Sequence, residues 1–261
     1  MFRRAASGVR SSAQPDRILC ESTTVVVTFA VRSELAPWLR LRSFRRVALD
    51  GSTSYQTTIG RADVHVILTG IGSFHAKQAI QAVLAMRPDA VVASGLAGGL
   101  RSTYAAGDVL AARLVGSDRS DQRVSSNEEL VNIAIACGAK AVGSFISADA
   151  MARTVEEKSV LGAIADAVDM ESFTVLTEAK AAGIPAIALR SVADTSDRDL
   201  PCDFSKMVNE RGQMQMGRLA LEPFCAPRRL PALVQFGLAS RRAASQLAQF
   251  LDRYIEVVAE K

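Results

Sequence analysis

Several of the most easily read classes of protein are excluded by what this sequence lacks. No apolar run in its 261 residues approaches the ~20 that a membrane-spanning helix needs, so it does not read as a helical membrane protein. Its four cysteines, Cys20, Cys137, Cys202 and Cys225, are scattered, with no Cys-x-x-Cys pair and no histidine cluster nearby. That argues against a zinc site or a disulfide framework and fits a reducing cytoplasm. There is no Gly-x-Ser-x-Gly elbow; "SGLAGG" does not match it, which disfavours a Ser-His-Asp triad. The stretch "TGIGSFHA" has a Gly-x-Gly, but His75 occupies the third glycine's place. No acidic residue closes a second strand, so dinucleotide binding is disfavoured. The two histidines have plain readings, His65 as a strand residue and His75 as packing at a helix start.

What is present describes an ordinary globular chain, with 49% hydrophobic and 22% charged residues. The formal charge is +4. The opening "MFRRAASGVRSSAQPDR" supplies +3 of it, so the remainder carries only about +1 and no nucleic-acid partner is expected. Residues 1–20 read as a disordered Arg/Ser-rich tail without the apolar core of a secretory signal. Residues 21–261 read as one domain ending in helices.

Strand-like and helix-like runs alternate. "TTVVVTFA" (23–30), "VHVILTG" (64–70), "DAVVASG" (89–95), "DVLAARLVG" (108–116) and "PAIALRSVAD" (185–194) read as strands, with "AGGL" as a turn. "FRRVALDGSTSYQTTI" reads as a hairpin turning at Asp50-Gly51. Helical patterns cover 73–86, 126–138 and 172–183, the last stopping at Gly183 with Pro185 beyond. In "LASRRAASQLAQFLDRYIEVV", Ala244, Leu247, Ala248, Leu251 and Ile255 fall on one helical face. The basic residues there are read as the solvated side of a packed helix, with membrane-surface contact as a second reading. The alternation predicts an α/β sheet flanked by helices.

In such folds ligands sit at the carboxyl ends of strands. The polar residues there are Glu34, the glycines of two turns including Gly98, Ser94, the Met170-Glu171 pair, Arg190, Ser191 and Asp194. Singly, each has a structural explanation; Glu171, for example, suits the positive end of its helix.

Together, "TGIGSFHAKQAIQAVLAMRPDAVVASGLAGGLRSTYAAGDVLAARLV", "AVDMES" and "LRSVADTSD" resemble the nucleoside phosphorylase and nucleosidase superfamily from about residue 24 to about residue 200. Within it the chain resembles the methylthioadenosine/S-adenosylhomocysteine nucleosidases. It resembles the hopanoid-associated phosphorylase branch, which removes adenine from adenosylhopane, at least as closely. The resemblance implies a three-layer α/β/α fold with a central twisted mixed sheet flanked by helices, and cleavage of a purine N-glycosidic bond. Such cleavage needs a proton for the departing base and negative charge near an oxocarbenium-like ribose. It implies Asp194 as the acid at the purine, Glu171 as acceptor for the ribose 2′- and 3′-hydroxyls, and Met170 against the sugar. Met151 would lie over the purine where the family has an aromatic residue, and Ala152 would offer its backbone to the base edge. Gly98, Arg190 and Ser94 join the substrate-binding set.

Glu34 bears on the nucleophile. The resemblance implies a glutamate that activates water where phosphorylases have a phosphate-binding arginine. A second phosphate arginine corresponds to about Ala93. Arg32 keeps phosphorolysis open, because strand alternation would put it on Glu34's side. The chain departs from the nucleosidases at Leu96, where they have a serine, and in the short stretch 116–129. Both departures leave the 5′ substituent open. The expectation is a cytoplasmic, homodimeric purine nucleosidase acting on a 5′-modified adenosine, with no metal or organic cofactor. A phosphorylase and a non-catalytic nucleoside-binding module are the alternatives.

Overall fold

The computed structural model describes residues 22–49, 52–209, 212, 215 and 227–261. The N-terminal tail and the Asp50-Gly51 turn lie outside the described residues. The first described elements are β1 (Thr23–Phe29), α1 (Arg32–Leu41), β2 (Arg45–Leu49), β3 (Ser52–Ile59), β4 (Ala62–Leu68) and α2 (Ser73–Leu84). The central part adds β5 (Ala90–Gly99), β6 (Val109–Ser117), β7 (Ser120–Ser125), α3 (Glu128–Ala136) and β8 (Lys140–Ser147). Then follow α4 (Val155–Gly162), β9 (Ala167–Asp169), α5 (Ser172–Ala181), β10 (Ala186–Asp194) and the long α6 (Leu230–Val258).

Helices on both faces of a mixed sheet make this an α/β fold. β1 pairs in parallel with β4 and β5, and β10 pairs in parallel with β5. The β2–β3–β4 meander is antiparallel and extends one side. β10 also pairs with β6, so β10, β6, β8, β9 and β5 form a closed ring. The period-2 alternation of the strands sorts the core into two layers. Val25, Val27 and Phe29 of β1 face Trp38 of α1, the α3 residues Leu130 and Ile133, and α6. Val26, with Val91 and Ala93 of β5, faces Ile80 of α2 and Leu176 of α5.

Local signals set most helix ends. Asn127 caps α3 by accepting from the Leu130 amide at 3.0 Å. Thr154 and Glu157 form a reciprocal capping box on α4. α5 ends before Gly183, whose positive φ of 72° a residue with a side chain rarely adopts. Fully buried Trp38 ties α1 to the rest of its layer. Its ring meets Phe44 edge-on at 5.2 Å, and its Nε1 donates to Asp252 of α6 at 3.3 Å. Truncating such a residue costs about 3–5 kcal/mol.

Four readings of the sequence change. Arg32 and Glu34 belong to the first turn of α1 and not to a strand, so two residues of separation turns their side chains apart. Arg32 is exposed. "AGGL" is no turn, because β5 runs on through Gly99 and pairs there with β9. The C-terminal helix starts at Leu230, upstream of the expected segment, and its predicted apolar face is buried in the core. β7, β8, α4 and β9 were not anticipated. Among the described residues no helix is long and apolar enough to cross a membrane.

Candidate active site

The parallel strands β1, β4, β5 and β10 bring their carboxyl ends to one edge, where a cavity of about 860 Å³ opens. This is the usual place and size for a small-molecule site. Glu34, Gly98, Met151, Ala152, Met170, Glu171 and Asp194 all line it. Seven of the nine residues expected at the site thus come together around one space. Ser94 and Arg190 lie outside the lining. Ser94 is buried in β5. Arg190 is buried beneath the site, among its carboxylates.

The charged end of the cavity centres on Arg190. Its guanidinium pairs with Asp169 and lies 3.4 Å from Glu171 Oε2. It also donates to Ser172 Oγ at 3.1 Å from Nε and 3.0 Å from Nη2. Gly95 lets this side chain pass: a Cβ there would fall 2.3 Å from Arg190 Nη1 and 3.2 Å from Glu34 Oε2. Glu171 is held from a second side, since the Gly72 amide at the start of α2 donates to its Oε1 at 2.9 Å. The Gly-x-Gly of "TGIGSFHA" therefore presents a helix N-terminus to the protein's own carboxylate. Asp169, to which the sequence assigned no role, is Arg190's close partner and accepts from the Ser172 amide at 3.0 Å.

Burial pushes the Glu171 carboxyl up to about 7, against the opposing pull of Arg190. Glu34 is raised by the same cause and opposed by the same guanidinium. Its Oε1 accepts from the Leu96 amide and its Oε2 from the Ala30 amide, both at 3.2 Å. Three carboxyl groups, those of Asp169, Glu171 and Glu34, thus act on one guanidinium.

Asp194 occupies another part of the lining. The register of β10 against β5 shifts between Val192 and Asp194, which sets Asp194 opposite Gly98. A Cβ on Gly98 would lie 3.4 Å from Asp194 Oδ2 and 3.2 Å from Val168. This glycine serves close approach and not a turn. Burial raises the Asp194 carboxyl, and the ammonium of Lys158 at 2.7 Å pulls it back down.

The rest of the lining is largely apolar. Ile71, Pro37 and Leu200 contribute, and α6 adds Leu230, Leu233 and Phe236. Phe204 and Phe236 stack at 4.9 Å, and Met151 packs against the same cluster. Sequence reasoning missed this α6 contribution. The signal was available, since Leu230, Leu233 and Gly237 continue upstream the periodicity that ends in Leu251 and Ile255. Among the described residues no cluster of His, Cys, Asp and Glu suited to a metal ion occurs.

Fold and site together define a class: α/β proteins with a carboxylate-lined cavity at the carboxyl edge of a mixed sheet. The chain belongs to the phosphorylase superfamily, whose family model matches residues 24–223. No curated protein sequence matches it. It is similar in structure to a 5′-methylthioadenosine/S-adenosylhomocysteine nucleosidase from Helicobacter pylori, solved with butyl-thio-DADMe-Immucillin-A. That likeness has a TM-score of 0.71 and 19% identity, and it covers 91% of this chain and 99% of the other. A futalosine hydrolase mutant from the same organism gives a TM-score of 0.68 at 19% identity, over 90% and 99% of the two chains. The S-adenosylhomocysteine nucleosidase of Streptococcus pyogenes gives 0.70 at 16%, over 92% and 99%. At these identities the likeness is one of fold.

Proposed function

We propose that the protein is a purine nucleosidase that uses water to cleave the N-glycosidic bond of a 5′-modified adenosine and release adenine. The observation that carries this reading is the placement of Glu34, Glu171 and Asp194 around one cavity, the first two sharing Arg190. Glu171 accepts hydrogen bonds from the ribose hydroxyls, with Met170 against the sugar. Glu34 takes a proton from water, and a raised pKa makes it a better base near neutral pH. Asp194 gives its proton to purine N7 as the C1′–N9 bond breaks, so adenine leaves neutral. Met151 and the stacked phenylalanines offer the base and the 5′ group an apolar surface.

The electrostatics favour water over phosphate. A phosphate nucleophile needs cations at the reacting carbon. The buried cluster beside Glu34 offers one guanidinium already matched by Asp169 and Glu171. Arg32 is exposed and outside the lining, and the two arginines that do line the cavity, Arg40 and Arg241, are exposed and reach it from α1 and α6. The apolar wall supports a 5′ substituent that is itself apolar, of the methylthio to adenosylhopane type.

The test is adenine release from a series of 5′-substituted adenosines, each with and without phosphate. We expect release without phosphate, fastest for apolar 5′ groups. Strict dependence on phosphate overturns the hydrolytic reading. Tight binding of an adenosine analogue with no turnover of any substrate overturns the enzymatic one.

A further inference from the structure

Lys158 is 0% exposed and lies in α4, a helix whose other residues are mostly at the surface. It falls one turn from the helix start, where a cation opposes the helix dipole. Its Nζ is 2.7 Å from Asp194 Oδ2, 2.9 Å from the Thr195 carbonyl and 2.7 Å from the Arg198 carbonyl. An ammonium has three donors, and each has an acceptor. Burying a lysine costs several kcal/mol unless it is paired this well, and two carbonyls alone could be served by a neutral donor. The feature that calls for a cation is the carboxylate of Asp194.

The surroundings narrow the role. Among the described residues Lys158 is the charged group that acts on Asp194. From β5 the aspartate meets Gly98, and Val168 of β9 lies beside that glycine. The loop after β10 carries Asp197, which also feels Lys158, and Asp199, which accepts from the Val155 amide of α4 at 2.9 Å. Arg198 in that loop presents its carbonyl to Lys158, with its guanidinium 4.0 Å from Asp197.

We propose that Lys158 is a positioning residue that sets the acidity of Asp194: its ammonium holds Oδ2, leaves Oδ1 for the base, and stabilises the carboxylate formed when the proton passes to N7. This rests on the nucleosidase reading above. In the resting site Asp194 carries its proton on Oδ1. As the C1′–N9 bond breaks, its electron pair enters the purine and N7 takes that proton. The new carboxylate is already paired with Lys158, so no group must move to stabilise it. Burial alone would make Asp194 a reluctant acid, and the ammonium offsets that.

The experiment compares the full-length wild type with Lys158→Met, Lys158→Arg and Asp194→Asn, using pH profiles of adenine release. Without the ammonium the protonated form of Asp194 persists to higher pH, so the alkaline limb of kcat should move upward in Lys158→Met. At its optimum kcat should fall roughly 10- to 100-fold with KM little changed. Lys158→Arg, which keeps the charge, should return the limb toward its original position. A folded Lys158→Met with wild-type kcat and an unmoved limb, beside an inactive Asp194→Asn, overturns the proposal alone. An active Asp194→Asn instead overturns the assignment of the acid on which the nucleosidase reading depends. Should Lys158→Met not fold, NMR titration of the labelled wild type decides, with Asp194→Asn used for assignment. The Lys158 side-chain resonance should shift at the pH where the Asp194 carboxyl titrates, and insensitivity to that titration overturns the proposal.

Discussion

The two sides of the cavity are built on opposite plans. On one side Glu171, Asp169 and Arg190 are buried and Glu34 half-buried, and all are held by fixed partners: backbone amides from four segments, a serine and each other. On the other, α6 and the Phe204 turn offer side chains held by packing. The first arrangement has little freedom, since each carboxylate oxygen is placed by a donor that belongs to the sheet or a helix start. The second can change shape residue by residue. The charged side suits chemistry common to many nucleosides, and the apolar side suits the choice among them.

The largest test of this contrast is removal of the reacting groups. Glu34→Gln and Asp194→Asn should each lower kcat for adenine release by roughly 10²–10⁴-fold while the proteins remain folded by circular dichroism. Next comes Arg190→Met, which leaves Asp169 and Glu171 buried without their cation. It should cost about 3–5 kcal/mol in denaturant unfolding, the penalty of breaking a buried pair. A smaller effect is set by pH. In its proposed role Glu171 accepts from both ribose hydroxyls as a carboxylate, and that form is lost as pH falls below about 7. KM should therefore rise roughly tenfold per unit below that point. Glu171→Gln should have a higher KM throughout and lose this component of the pH dependence, leaving that of Glu34. The smallest effect belongs to the apolar side. Phe236→Ala should raise KM for apolar 5′-substituted adenosines about 3- to 10-fold and leave unsubstituted adenosine nearly unchanged. An equal effect on both substrates would mean that the wall also grips the base.

Much of the charged side was legible in the sequence because its residues sit at fixed points of the strand–helix alternation. "AVDMES" carries Glu171 at the start of α5, and "LRSVAD" carries Arg190 and Asp194 on one strand. The division of labour inside "AVDMES" was only half legible. Asp169 and Ser172 have ordinary helix-start explanations, and only the path of Arg190 reveals that they hold it. The misplacement of Arg32 had a different cause. β1 ends at Phe29 and α1 starts at Arg32, so period-2 reasoning was carried past the end of the strand. "AGGL" misled because glycine signals turns and close backbone approach alike, and only β9, a three-residue strand without a pattern of its own, distinguishes them. Lys158 gave no signal, since a lysine in a mixed helix reads as solvated until the loop from Thr195 to Arg198 folds over it.

The placement of Arg190 and Asp194 on β10 has a consequence for what can change in this site. They lie four positions apart, roughly 13 Å of strand rise before the irregularity at Val192 is counted. β10 is clamped between β5 and β6, so that interval is a length fixed by the sheet. On the proposed reading it acts as a ruler between Arg190, which holds the ribose-binding Glu171, and Asp194, which meets the base. Substitutions in α6 can alter what is accepted at the 5′ end, but they cannot lengthen the ruler. On that reading a substrate has to match it between sugar and base, whatever it carries beyond.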